Sequence, residues 1–240
     1  NIIKFFKNLI IMTEKLIAIV TGASRGIGRE VSKLLSKDFH VIISGRTVEA
    51  LEELDDEIRL SGGSSTIVPM DLNDFNAIKN LSEEIKKRWG KLDVMIANAA
   101  YLHDLTPLAD LDEKNWHKSI NVNLTSIWIL IKYMQPLLLK SKAGRAVILT
   151  SGAALGERPF WGGYAVSKAA LESLTRVWAG EMKETKLRIN LFDPGATQTT
   201  MRAKAYPGEN PKNLKPPIEV AKSIIELCNK NFSSHGFRFK

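Results

Sequence analysis

Cysteine is almost absent: Cys228 is the only one in 240 residues, so no internal disulfide can form. That excludes a disulfide-stapled secreted scaffold and makes a reducing cytoplasm the expected setting. Histidine is nearly as scarce. His40, His103, His117 and His235 are scattered, with no spacing resembling a zinc or iron site, and read as surface or incidental residues. Long hydrophobic runs are missing too. The opening stretch NIIKFFKNLII, residues 1–11, is far shorter than the ~20 residues that span a bilayer. It also lacks the small-residue cleavage site of a signal peptide. Residues 1–11 therefore read as an N-terminal extension without stable membrane insertion, and residues 12–240 as one domain.

What is present is ordinary globular material, 44% apolar and 25% charged. The formal charge of +8 favours anionic partners, such as a phosphorylated cofactor or an acidic carrier protein. The basic residues are spread rather than blocked, so nucleic acid is not expected.

Short apolar runs alternate with helical patterns. Leu16 to Val20, Val41 to Ile43, Thr66 to Val68, Val94 to Ala97, Ala146 to Leu149 and Arg188 to Phe192 read as buried strands. Leu51, Leu54 and Ile58 mark one amphipathic helix; Ile78, Leu81, Ile85 and Trp89 mark another, with Asp74 as its N-cap. Two longer helices are predicted over Asp112 to Leu139 and Val166 to Glu184. The fold class is α/β: a single-domain, doubly wound parallel sheet of the Rossmann type, with helices on both faces and seven strands expected. The proline-rich stretch Ala203 to Pro217 reads as a loop that could act as a lid.

The first strand runs into Thr21-Gly22-Ala23-Ser24-Arg25-Gly26-Ile27-Gly28, and a helical pattern follows. Glycines there permit a tight turn and let backbone N–H groups approach a pyrophosphate, while the helix N-terminus adds partial positive charge. The second strand ends Ser44-Gly45-Arg46, with glycine where an NAD-binding chain usually carries an acid. Arg46, with Arg25 from the glycine turn, matches a 2′-phosphate in charge and hydrogen-bond geometry, which points to NADP(H).

Tyr164 and Lys168 stand four apart, on one face of a helix. A free phenol, with its pKa near 10, is a poor base at neutral pH, and a nearby ammonium would lower that value. Such a pair can exchange a proton while a cofactor handles hydride. Ser151 ends a strand thirteen residues earlier.

Together with Asp71-Leu72, Asn98-Ala99-Ala100, Asn123-Leu124-Thr125 and Pro194-Gly195, these motifs resemble the short-chain dehydrogenase/reductase family over nearly the whole chain from Met12. The stretches Phe160 to Gly163 and Met201 to Pro211 are similar to a bacterial subgroup of its reductases. The resemblance implies hydride transfer between NADP(H) and a small-molecule carbonyl or alcohol, with an acyl thioester as one candidate. It implies that Tyr164 exchanges the proton, Ser151 bonds the substrate oxygen, and Lys168 binds the nicotinamide ribose and depresses the phenol pKa. Asn123 would hold a water that links Lys168 to solvent. Asp71 would contact the adenine, with Leu72 beside it, and Asn98 and Ala99 would line the cleft. Pro194, Gly195, Thr197 and Thr199 would close over the nicotinamide, Thr197 offering a hydroxyl to the carboxamide.

Three alternatives stand beside this reading. One is the specific activity of a 3-oxoacyl acyl-carrier-protein reductase. Another is a non-enzymatic NADP(H) sensor or scaffold, which would not need the full set of Ser151, Tyr164, Lys168 and Asn123. An enoyl reductase fits less well, because its tyrosine–lysine spacing is typically wider. A homodimer or homotetramer is expected, because Ile127, Trp128, Ile131, Tyr133, Leu137, Leu171, Leu174, Trp178 and Met182 exceed what one core-facing stripe needs.

Overall fold

The six short apolar runs become strands β1 Leu16–Thr21, β2 Phe39–Gly45, β3 Ser64–Pro69, β4 Val94–Ala97, β5 Arg145–Leu149 and β6 Arg188–Phe192, and a two-residue β7 Arg238–Phe239, marked by no such run, completes the sheet. The computed structural model describes residues 15–156 and 158–240, so the reading of residues 1–11 lies outside it. The strand order is β3-β2-β1-β4-β5-β6-β7, and every pairing is parallel. β1 lies inside the sheet, with Ala18 opposite Val41 on one side and Val94 on the other.

Successive side chains of a strand point to opposite faces, so a strand covered on both faces must be apolar throughout. β1 obeys this. Ile17 and Ile19 pack with Ile78 and Ile85 of α3 (Phe75–Trp89), Leu130 and Met134 of α5 (Ser126–Leu138), and Leu171 and Trp178 of α6 (Gly162–Glu181). Ala18 and Val20 pack on the other face with Val31 and Leu35 of α1 (Gly26–Leu35), Leu54 and Ile58 of α2 (Val48–Leu60) and Ile224 of α8 (Pro217–Cys228). Asp74 caps α3 as expected, accepting from the Ala77 N–H at 3.0 Å, and Gly90 ends it in the left-handed conformation.

The predicted helix from Asp112 to Leu139 is one helical run, α4 (Glu113–Ile120) and α5 joined without a break by a π-helical turn at Asn121–Thr125. The structure corrects three local readings. The predicted loop from Ala203 to Pro217 begins inside a helix, α7 (Thr200–Ala205), and contains a 3-10 turn at Pro211–Asn213. His235 is a structural brace: Nδ1 accepts from the Ile189 N–H at 3.1 Å, and Nε2 meets the Ala179 carbonyl at 2.7 Å. Most of the apolar surplus on the long helices faces the chain's own core. Ile127, Ile131, Leu137, Leu171 and Trp178 are buried, Tyr133, Leu174 and Met182 pack against them, and Trp128 is 47% exposed. The reason is geometric, because α5 packs against α3 as well as the sheet and so buries more than one stripe.

Candidate active site

Between β1 and β4 the strand order changes direction, and the loops at the two carboxyl ends part to leave a crevice. A cleft of about 540 Å³ opens there.

At one end the glycine turn carries β1 into α1, with Gly22 and Gly26 at φ of +65° and +57°, where side chains are strained. Gly28 acts differently. A β-carbon there would sit 2.2 Å from the Gly22 carbonyl oxygen and 2.5 Å from Asn98 Nδ2, so this glycine is a packing residue behind the cleft. Asn98 is likewise a brace, its Nδ2 donating to the Thr21 and Gly22 carbonyls at 2.9 and 3.1 Å. Thr21, to which the sequence assigned no role, receives the Asn98 and Ala99 N–H groups on its hydroxyl, both at 3.1 Å. These bonds fix the distance between the two strand ends that form the crevice.

Ser24, Arg25, Ile27 and Arg46 line the same end of the cleft, and both guanidiniums are exposed. A β-carbon at Gly45 would lie 3.4 Å from the Ser24 side chain, an ordinary contact, so what glycine does here is leave β2 without a carboxylate at its end. Asp71 and Leu72 form the adjoining wall, with the Asp71 carboxylate accepting from the Asn73 N–H at 2.9 Å.

Ser151, Tyr164 and Lys168 converge on the opposite wall. Ser151 follows β5, and its hydroxyl accepts from the Ala153 N–H at 3.2 Å and lies close enough to the Tyr164 phenol to lower its pKa. Lys168 stands one turn after Tyr164 on α6. Its Nζ donates to the Leu149 carbonyl at 2.8 Å and lies 5.9 Å from the phenol ring centroid. Burial pushes the phenol up to about 12; the Ser151 hydrogen bond opposes this, Asp193 adds to it, and Arg158 opposes it. Burial also brings the Lys168 ammonium down to about 8, against the pull of Glu172. The sequence reading had Lys168 depressing the phenol pKa. In the structure the groups that lower it are Ser151 and Arg158, burial outweighs both, and the Lys168 ammonium is committed to a backbone carbonyl.

Asn123 lies in the π-helical turn, fully buried. Its side chain makes three bonds: Oδ1 accepts from the Tyr101 N–H at 2.7 Å, and Nδ2 donates to the Tyr101 carbonyl and the Ser167 hydroxyl, both at 2.9 Å. It ties the segment after β4 to α6. Pro194, Gly195, Thr197 and Thr199 line the cleft after β6. The Thr197 hydroxyl turns inward to the Pro194 carbonyl at 3.1 Å rather than toward the cleft. Thr199 caps α7 through the Arg202 N–H, and its methyl lies 3.4 Å from where a β-carbon of Gly26 would be.

A charged layer beneath this wall was not read from the sequence. Glu172, one turn beyond Lys168 and 3% exposed, accepts from the Thr150 hydroxyl and from Arg238 Nε, both at 2.8 Å. Arg238 reaches on to Asp193 at 2.9 Å, and Asp193 accepts from the Gly195 N–H at 3.0 Å. The layer joins α6, β7 and the ends of β5 and β6 under Ser151, Tyr164 and Lys168.

The short-chain dehydrogenase model matches residues 16–210. An uncharacterised oxidoreductase of Escherichia coli, YciK, is 35% identical over 208 residues, which is 85% of this chain and 82% of that protein. The 3-oxoacyl acyl-carrier-protein reductase FabG of Thermotoga maritima is 29% identical, over 90% of this chain and 92% of its own. A short-chain dehydrogenase of Shigella flexneri, solved in complex with NADP, superposes with a TM-score of 0.89 at 33% identity, covering 93% of this chain and 95% of that one. With the glycine turn, the parallel sheet and the serine–tyrosine–lysine wall in place, the chain belongs to the short-chain dehydrogenase family.

Proposed function

We propose that this protein is an NADP(H)-dependent oxidoreductase that interconverts a small-molecule carbonyl and its alcohol. The observation that carries the reading is the convergence, in one cleft, of Ser151, Tyr164 and Lys168 with a glycine turn flanked by Arg25 and Arg46. The residues fit the cofactor. Gly22 and Gly26 leave room for a pyrophosphate, two exposed guanidiniums suit a 2′-phosphate, and no acid ends β2 to repel it. The NADP bound by the Shigella relative supports the same choice.

Arg25 and Arg46 would hold the 2′-phosphate, Asp71 and Leu72 the adenine, and Lys168 the nicotinamide ribose. The Pro194–Thr199 turn would lie over the nicotinamide. When bound, the cofactor supplies or accepts hydride. Ser151 positions the substrate oxygen beside the phenol. Tyr164 gives that oxygen its proton during reduction and takes it back during oxidation. A phenol pushed up to about 12 stays protonated at neutral pH, which suits carbonyl reduction.

The acyl-carrier-protein activity is a narrower reading, supported by the FabG likeness and the +8 charge. We further propose self-association as a dimer or tetramer through the outer faces of α5 and α6, where Trp128, Val166 and Val177 are exposed. A cytoplasmic setting agrees with a single, buried cysteine.

The test is NADPH oxidation across ketones, quinones, sugars and acyl thioesters, followed by Tyr164→Phe. The variant should keep NADPH binding and lose at least the ~10²–10⁴-fold in turnover that a general acid supplies. Near wild-type turnover in Tyr164→Phe would overturn the mechanism.

A further inference from the structure

The cations along the cleft are mostly committed. Lys168 is bonded to the Leu149 carbonyl, and Lys118 sits over the Tyr101 ring at 4.5 Å. Arg202 makes two 2.6 Å bonds to Glu209, and Lys240 lies beside Gly195. Arg25 and Arg46 belong to the glycine-turn end.

Arg158 lies at the Ser151 end of the cleft. It is exposed, and among the described residues it makes no salt bridge with a carboxylate. Its guanidinium packs over Trp161 at 5.7 Å and reaches the Tyr206 hydroxyl at 3.5 Å. One terminal nitrogen lies 3.3 Å from where a β-carbon of Gly152 would be, next to Ser151. Trp161 in turn meets the Tyr164 ring at 5.6 Å and the Tyr206 ring at 5.9 Å. Tyr206 is itself held, with the Arg202 guanidinium 3.8 Å above its ring and Arg202 fixed by Glu209. A guanidinium and a phenolic donor are thus set on an aromatic plate, one residue from the serine that faces the reacting oxygen. Donors arranged in this way recognise a planar anion.

We propose that Arg158 and the Tyr206 hydroxyl bind a carboxylate of the substrate, so that the cleft takes short oxo acids whose carboxylate lies a few bonds from the carbonyl. The proposal rests on the reductase reading for the identity of the substrate end. In the step, the carbonyl carbon gains hydride from the cofactor and the oxygen gains the Tyr164 proton. The carboxylate emerges unchanged, giving a hydroxy acid and oxidised cofactor. The closeness of the guanidinium to Ser151 favours a small acid over a thioester whose nearest charge lies far along a carrier arm. Arg158 also opposes the rise of the Tyr164 pKa, consistent with its nearness to the phenol.

The experiment uses 2-oxobutanoate, acetoacetate and levulinate, their methyl esters, and the neutral N-acetylcysteamine thioester of acetoacetate. Binding to the enzyme–NADP⁺ complex is measured by calorimetry, and turnover by NADPH oxidation. At least one acid should bind tenfold or more tightly than its ester. Arg158→Ala should erase that preference with a loss of roughly 10- to 100-fold, the scale of a charge-assisted hydrogen bond. Arg158→Lys should retain part of it, and Tyr206→Phe should lose a smaller share. The preference should survive in Tyr164→Phe, which is blocked in turnover. No acid binding, tighter binding of esters or thioester, or a preference intact in Arg158→Ala would overturn the proposal. Turnover of esters alone would leave the reductase reading standing without the anion site. Arg158-dependent acid binding with no NADPH oxidation of any probe would do the reverse.

Discussion

Two exposed guanidiniums, Arg25 and Arg46, face the end of β2, where an acid would select NAD. Removing one should cost about 1.5–3 kcal/mol of NADPH affinity, the range for a hydrogen bond to a charged group. Calorimetric titration of Arg46→Ala should therefore show NADPH binding weakened by one to two orders of magnitude, with NADH little changed. Equal losses for both cofactors would remove Arg46 from the 2′-phosphate. Residues like these were legible because their chemistry is local. Gly45 and Arg46 adjoin one strand end, and Tyr164 and Lys168 share one helical turn. Glu172, Asp193 and Arg238 were not legible, because each looks like a solvated charge until the sheet assembles. Arg238 and Glu172 lie 66 residues apart in the chain. Thr21 and Asn98 were hidden in the same way, 77 residues apart, although both stand inside quoted motifs.

Among the elements, the turn into α1 has the least tolerance. A methyl group at Gly28 would meet a backbone carbonyl at 2.2 Å, and a carbonyl cannot rotate aside as a flexible side chain can. Gly28→Ala should therefore lower stability by about 1–3 kcal/mol, the usual scale of overpacking, and weaken NADPH binding by moving the Gly22 backbone. Urea unfolding and cofactor titration on the same preparation check this. An unchanged midpoint would mean that α1 shifts freely against β1. Strand positions were read well because a two-sided sheet forces continuous apolar runs, and β1, β4 and β5 have them. The π-helical turn escaped because Asn121 to Thr125 keeps a helical apolar pattern. An extra backbone residue per turn leaves no compositional mark. α7 escaped for the opposite reason. The prolines that follow it suggest loop, yet Thr199 supplies a cap and Thr200–Ala205 is long enough for one short helix.

At the scale of the molecule, the outer faces of α5 and α6 leave Trp128, Val166 and Val177 exposed at 47%, 46% and 58%. Apolar groups presented together on neighbouring helices suit a two-fold interface. Sedimentation at micromolar concentration should give a dimer or tetramer, and Trp128→Glu with Val177→Glu should shift it toward monomer. A wild-type monomer would refute the expectation. The reversal of strand order between β1 and β4 has a further consequence. Residues before the crevice, from Gly22 to Leu72, supply the proposed adenosine and phosphate contacts, whereas Ser151 to Tyr206 supply the proton chemistry and the substrate wall. The proposed adenosine contacts and the proposed proton chemistry are therefore carried by separate lengths of chain that face each other across the crevice. Such a division lets the substrate wall diverge while the adenosine-facing length stays fixed. Grafting a relative's 200–216 segment onto this chain should then alter which carbonyl is accepted while leaving the choice between NADPH and NADH where Arg25 and Arg46 set it.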